Sequence, residues 1–529
     1  MRKSVPFSPG FAWRTCIPSP TEAGWRSPSR RPRLEKFREL KERLRIVYDL
    51  NKAANVLRWD QTTHMPPGGA ASRGRQIATL SRLAHEHFTD PAVGQLLEEL
   101  RPYEESLPYD SDEAALLRVA RRDYERAVRV PSAFVAEMET HLAASYQAWA
   151  RARPANDFRA VAPYLERTLE LSREYASFFP ESRHVADPQI DLNDPGMTVD
   201  LLRGLFSRLR EELRPLVREL TSRPAADDSF LHRRFPVERQ WEFARQVIAR
   251  CGYDFSRGRM DTTLHPYEIS FSPGDVRIAL RAREDDLGEL LFGAIHEAGH
   301  AMYEQGVAPE LEGTPLARGA SSGLHESQSR LWENVVGRSL GFWKFFYPQL
   351  QAVFPEQLGD VPLEAFYRAI NKVEPSLIRT SADEVTYNLH VIIRFDLEMA
   401  LLEGELAVRD LPEAWNERYR QDLGVVPPND RDGVLQDSHW YDSLLGGNFH
   451  GYTLGNVMAA QFFEAARRAH PEIPEEIERG EFAPLHRWLV ENVYRHGRKF
   501  MPLELLERAT GRPLEVEPYI RYLREKYGV

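Results

Sequence analysis

The sequence predicts a mainly α protein: a single large helical body with a deep cleft, and one small β element just before its most chemically informative helix. Three observations predict it. Apolar residues recur at three- and four-residue spacing along most of the chain from Leu34 onward. Alternation of the strand type is convincing in one place, between Ile269 and Leu280. No shift of composition cuts the 529 residues into independent domains, and no fixed-period repeat supports a solenoid.

Composition narrows the functional classes. Hydrophobic residues make up 42% and charged residues 28%, a soluble globular balance. The net charge of −10 is spread along the chain and argues against a nucleic-acid surface. No apolar run is long enough to span a bilayer, so no membrane partner is expected. The two cysteines, Cys16 and Cys251, do not make a disulfide framework; a reducing, cytoplasmic setting fits them.

Residues 1–33 stand apart. They are rich in Ser, Pro and Arg, with Glu22 as their only acid, and lack the apolar core of a secretory signal. They are expected to be a disordered leader or a non-native extension of the coding region, with a transit-type targeting segment as the minority reading. The body is then residues 34–529. Leu40, Leu44, Val47, Leu50 and Leu57 mark a first helix, and Met65-Pro66-Pro67-Gly68-Gly69 breaks it. A second helix is expected over Ser72–Phe88. Amphipathic stretches follow near 92–106, 111–129, 132–153, 157–178 and 199–222, and Pro131 and Pro236 sit where a first helical turn accepts proline. Ile269 and Phe271, then Ser272-Pro273-Gly274-Asp275, then Val276, Ile278 and Leu280 read as a hairpin. Such a strand either offers backbone groups to an extended peptide or simply packs. A Gly- and Ser-containing loop is expected over 313–323. Helices resume near 325–340, 363–373, 376–403, 411–423, 453–469, 482–497 and 514–526.

The informative helix contains His296-Glu297-Ala298-Gly299-His300. Residues four apart share a helix face, so both imidazoles can reach one zinc ion. Glu297 can take a proton from water at an open metal position, which is metallopeptidase chemistry. Leu290, Leu291, Phe292, Ile295 and Met302 make the helix look buried, and buried histidines need a metal or polar partners. A third ligand must come from elsewhere. Glu326 leads; Glu333, two turns along the same face, is a ligand or a partner for a ligating histidine; His325 is a third possibility.

Four motifs then occur in order: His296–His300, His325-Glu326-Ser327-Gln328, Ile378-Arg379-Thr380-Ser381-Ala382-Asp383, and Gly433-Val434-Leu435-Gln436-Asp437-Ser438-His439-Trp440. Together with Leu57-Arg58-Trp59-Asp60-Gln61 and Met65-Pro66-Pro67-Gly68, they resemble the M32 family of zinc metallocarboxypeptidases over nearly the whole chain from Leu34. The resemblance assigns Glu326 as third ligand. It also implies a gluzincin body like that of the oligopeptidases, broad specificity, peptide substrates with a free C-terminus, and a homodimer. One metal ion per chain is expected, Zn2+ or alternatively Co2+. Three stretches depart from the family pattern: His265-Pro266-Tyr267 has Tyr for Phe, Asp275-Val276-Arg277-Ile278-Ala279 lacks the final Thr, and Asn448 and His450 alter the loop before Tyr452.

An enzyme that trims C-termini must hold a carboxylate, and an arginine fork does so bidentately. Arg379 is the first choice and Arg277 the second; the competing reading pairs them with Asp383 or Asp275. The oxyanion needs a donor besides the metal, and His265, His439 and Tyr452 are the candidates. Gln436 is a candidate substrate contact, although it and Asp437 also suit a loop-shaping role. Asp383 is a possible partner for a ligating histidine. Two other functions stay open: an endo-acting zinc oligopeptidase with the same site, and a non-catalytic helical metal-binding protein.

Overall fold

Helical spacing becomes helical structure through most of the chain. The computed structural model describes residues 30–529, with side chains from Arg33 on. The leader expected over 1–33 therefore lies outside the described residues, apart from Arg30 to Arg33, which begin the first helix. That helix, α1 (Arg30–Thr63), turns Leu40 and Leu44 into a cluster with Leu96, Leu97, Leu116 and Leu311. The Met65–Gly69 break forms a short 3-10 turn over Pro67–Gly69, and α2 (Ala70–Phe88) folds back along α1. In α3 (Asp112–Arg129) the Ser111 hydroxyl accepts from Ala114 N, and acids in the first turn with Arg126 and Arg129 in the last complement the helix dipole.

The β signal yields the expected hairpin and one extra strand. The sheet has the order β1 (Met260–Thr262), β3 (Asp275–Leu280), β2 (Tyr267–Ser272). β2 and β3 are antiparallel, with Ile269 opposite Arg277 and Tyr267 opposite Ala279. β1 runs parallel to β3 and has no counterpart in the sequence reading; three residues are too few to show a period. Lys52 of α1 donates to Ser270 O at 3.0 Å, and Trp59 meets Phe271 edge-on, so α1 lies along the β2 edge.

Beneath the sheet runs α4 (Leu287–Gly306). Asp286 caps it, its Oδ1 accepting from Gly288 N (2.9 Å) and Glu289 N (3.1 Å). Leu290, Leu291, Phe292 and Ile295 are buried with Val276 and Ile278 of β3. Next comes α5 (Ser322–Arg330), capped by the Ser321 hydroxyl and continued by a π-helical stretch, Leu331–Val336. Two glycines let the helices cross closely. A Cβ on Gly299 of α4 would stand 2.6 Å from Gln328 O of α5. A Cβ on Gly455 would stand 2.5 Å from Glu326 Cγ, where α7 (His450–Ala469) crosses α5 on its other side. Those crossings set Glu326 against the His296–His300 face.

Two stretches depart from the periodic reading. Leu340–Val353 is a helix that the spacing does not single out, because it is apolar nearly all round and contains Pro348. Conversely, 376–386 is irregular, and α6 begins only at Tyr387 and runs to Glu403. Asp383 explains the late start: its Oδ1 accepts from Val385 N (2.9 Å) and Thr386 N (3.0 Å). Among the described residues no helix is long and apolar enough to cross a membrane.

Candidate active site

His296, His300 and Glu326 converge, with one nitrogen or oxygen atom of each within 4.8 Å of the others. Glu326 Oε2 lies 3.7 Å from His296 Nε2 and 3.3 Å from His300 Nε2. The histidines' other nitrogens are both occupied. His296 Nδ1 lies 2.9 Å from Glu333 Oε2, and His300 Nδ1 lies 2.6 Å from His325 Nδ1. His325 in turn sets its Nε2 on Glu304 Oε1 at 3.1 Å. A carboxylate only accepts, so His325 donates from Nε2, and in its neutral form it accepts at Nδ1 from His300. His296 likewise donates from Nδ1 to Glu333. Both Nε2 lone pairs then face Glu326, the tautomers that a metal requires. The residues fit a divalent cation.

Charge around the centre is arranged to match. Arg330 Nε donates to Glu326 Oε1 at 2.6 Å, and its Nη1 donates to Glu333 Oε2 at 3.2 Å. Burial alone would raise both carboxyls, but Arg330 and the histidines hold Glu326 far below the usual range and Glu333 at about 2. Burial pushes His300 down to about 4, the neutral form that coordination needs. Glu297 is 7% exposed and accepts no hydrogen bond among the described residues. Burial, then the charges of Glu326 and Glu333 against the pull of His296, lifts its carboxyl to about 7.

Of the oxyanion candidates, the structure joins two. Tyr452 Oη lies 3.3 Å from His439 Nε2, at the start of α7. Burial pushes the Tyr452 phenol up, which keeps its proton available to donate, and the charge of Glu326 is among the groups it feels. Burial also lowers His439, which makes no other hydrogen bond from its ring. His265 is not part of this group. It stands exposed between β1 and β2, beside the exposed Leu264, without a hydrogen bond or ion pair among the described residues.

The candidate substrate contacts already have partners within the chain. Arg277 pairs with Asp275, as the competing reading has it: Nε and Nη2 each meet an Asp275 oxygen at 2.8 Å, and the guanidinium stacks 4.3 Å over Trp59, bracing α1 on the sheet, while Nη1 makes no bond among the described residues. Gln436 is buried and internally satisfied. Its Oε1 accepts from Arg379 N (2.9 Å) and Arg394 Nη2 (2.7 Å), while Nε2 donates to Leu377 O (2.9 Å). Arg379 pairs with Asp437 rather than Asp383, through Nε (3.1 Å) and Nη2 (2.8 Å), and donates from Nη1 to Tyr387 Oη at 2.9 Å. It sits 5.0 Å from the Tyr452 ring and keeps donors beyond those three. Asp383 holds the turn before α6, its Oδ2 accepting from Thr386 Oγ1 at 2.7 Å, and bonds to neither His296 nor His300; Glu333 contacts His296 instead.

Sequence reasoning misses Glu304 and Arg330 altogether. Glu304 lies four residues after His300, and Arg330 four after Glu326, so both are on the correct helix faces.

Comparison with known proteins agrees with this geometry. One relative, the thermostable carboxypeptidase 1 of Thermus thermophilus, is 45% identical over 480 residues, covering 89% of this chain and 94% of its own length. Carboxypeptidase 1 of Bacillus subtilis is 38% identical, covering 93% and 98%. The crystal structure of an M32 carboxypeptidase from Deinococcus radiodurans superposes with a TM-score of 0.91 at 48% identity, over 93% of this chain and 99% of that one. Residues 39–527 match the model of the Carboxypeptidase Taq (M32) metallopeptidase family, and the chain belongs to that family.

Proposed function

We propose that this carboxypeptidase works with one zinc ion per chain, held by Nε2 of His296, Nε2 of His300 and Glu326, and releases single residues from peptides with a free C-terminus. The observation that carries the zinc site is the pair of Nδ1 hydrogen bonds, which leaves both Nε2 lone pairs aimed at Glu326 Oε2. A bound zinc ion supplies Lewis acidity and makes a water acidic near neutral pH; cobalt suits the same donors.

The chain's own groups supply the rest. Glu297, whose carboxyl titrates near neutrality, takes the water's proton and returns it to the leaving amine. Tyr452, backed by His439, donates to the oxygen that gains charge. Arg379, held by Asp437 beside Tyr452, takes the terminal carboxylate with its remaining donors. Broad specificity, a homodimer and a cytoplasmic setting follow the resemblance; sedimentation of the purified protein at several concentrations checks the dimer.

The test compares one peptide with its C-terminally amidated twin on metal-loaded protein, with a chelator control and mass spectrometry of the products. Stepwise loss from the free peptide alone, stopped by the chelator, is expected. Internal cuts in both peptides would instead indicate an endo-acting oligopeptidase.

A further inference from the structure

On the His300 side of the centre stands a group of charges that the reaction above does not use. Its middle is Glu304, which accepts from Gly319 N at 2.6 Å and from His325 Nε2. Tyr48 and Lys52 of α1, Glu268 of β2 and Arg318 of the loop before α5 all lie within electrostatic reach of Glu304. Glu268 also feels Glu297 and His325, so this group borders the catalytic centre. Lys52 Nζ stands 5.3 Å over the Tyr48 ring while it donates to Ser270 O.

Several polar groups here have no partner. The Tyr48 hydroxyl and Glu268 Oε1 are buried without a hydrogen bond. The Arg318 guanidinium is exposed to solvent and forms no hydrogen bond or ion pair among the described residues. Its surroundings hold charges of both signs, Arg498 and Arg122 against Asp123 and Glu304, and both acids already have partners. Arg498 and Arg122 are both near, and Asp123 is already bound by Arg498 at 2.7 and 3.0 Å. The charge of Arg498 pushes Arg318 down to about 10. Glu268 adds little repulsion for an incoming anion, because burial raises its carboxyl to about 8 and keeps it protonated near neutral pH. An arginine left open, repelled by Arg498 and next in the chain to Gly319, whose N–H binds the Glu304 that holds His325, is arranged to receive an anion.

We propose that Arg318, with Lys52 beside it, forms a subsite for the carboxylate of an Asp or Glu side chain in the peptide substrate. The pair relieves the repulsion between Arg318 and Arg498 and gives the arginine fork its missing acceptor. The carboxypeptidase reading supplies the ligand's identity, a peptide; the subsite itself is a claim about binding and can be read without turnover.

The experiment uses metal-loaded Glu297→Gln protein, which holds peptide without consuming it. Calorimetry compares peptides ending in Glu and in Gln, and a second pair with that exchange at the penultimate position. At least one Glu peptide is expected to bind five- to tenfold more tightly than its Gln twin. Arg318→Ala in the same background removes the difference, and Arg318→Glu reverses it toward a lysine peptide, a reversal that mere structural damage would not produce. Equal affinity within both pairs would overturn the proposal, whether or not the wild-type enzyme trims peptides. An equal loss on every free peptide, with no loss on amidated ones, would also overturn it by making Arg318 a reader of the terminal carboxylate.

Discussion

Glu333 Oε2 lies 2.9 Å from Nδ1 of His296, on the nitrogen turned away from Glu326. This single contact separates two acids that chain spacing leaves as rivals. Glu326 faces both Nε2 atoms, and Glu333 stands behind one ring. Glu326→Gln should therefore abolish stoichiometric metal binding. Glu333→Gln should weaken it by about 10- to 100-fold and leave a measurable site. Competition titration with a chromogenic chelator reads both. Equal losses in the two variants would contradict the assignment.

Glu297 touches neither Glu326 nor a histidine nitrogen through a hydrogen bond, so its removal should spare the metal. Glu297→Gln is expected to retain one metal ion per chain and to lose about 10²- to 10⁴-fold in kcat. Elemental analysis beside a peptide-trimming assay checks this. A variant that kept wild-type turnover would require a different base.

How much of this is legible in the sequence depends on how locally each feature is determined. The metal helix, the hairpin and the paired histidines are encoded by residues within a few turns of one another, and they appear where the spacing puts them. The proposed third ligand, Glu326, is not local. It depends on how α5 crosses α4 and α7, which rests on backbone contact at Gly299 and Gly455. The role of Gln436 escapes a sequence reading for the same reason: its partners Arg394 and Leu377 come from other elements, and no single-chain pattern announces them, whereas the Arg277–Asp275 pair, two residues apart, is legible as the competing reading. The irregular 376–386 stretch belongs here too, since Arg379 N bonds to Gln436 across 57 positions instead of extending a helix.

The two crossings give a prediction of their own. Gly299→Ala would push a methyl against Gln328 O and Ser329 Cα, both backbone atoms that cannot swing aside. Gly455→Ala would push one against the Glu326 side chain and backbone. Each should destabilise by about 1–3 kcal/mol, the usual cost of overpacking. Because Gly455 presses directly on Glu326, its variant should also weaken metal binding, whereas a surface control such as Gly424→Ala, with open space at its Cβ but φ of 74°, should lose stability alone. Thermal melts with and without metal separate the two effects.

Tyr452 and His265 are equal candidates in the sequence, and the structure ranks them. Tyr452→Phe removes the hydroxyl that lies 3.3 Å from His439 Nε2 and should lower kcat by about 10- to 100-fold with KM little changed, as expected for a donor that acts on the transition state. His265→Ala removes an exposed ring without a bonded partner and should leave kcat within about twofold. Steady-state kinetics on one peptide decide it. A large kcat loss for His265→Ala would mean that the loop before β2 closes onto substrate.

Glu398 is expected to make stability depend on pH through the loop before Tyr452. Its Oε1 accepts from Trp440 Nε1 at 2.9 Å and from Asn448 Nδ2 at 3.4 Å, tying α6 to the altered stretch. The residue is 1% exposed, and burial pushes its carboxyl from 4.5 up to about 8, against the pull of Trp440, Gly446, Asn448 and Arg394. The unfolded chain thus releases this proton near 4.5, while the folded chain holds it to about 8. Between those values folding takes up a proton. The stabilisation is complete below 4.5, shrinks as the pH climbs, and is gone once the pH passes the folded value. Every tenfold gain in proton affinity on folding is worth about 1.4 kcal/mol. Glu398→Gln keeps the acceptor oxygen and cannot titrate, so the wild type should lose stability relative to it as the pH rises from about 5 to about 9. Chemical denaturation of both proteins across that range measures the difference. A constant difference would show that Glu398 is ionised throughout, with Trp440 and Asn448 stabilising a buried carboxylate instead of a carboxylic acid.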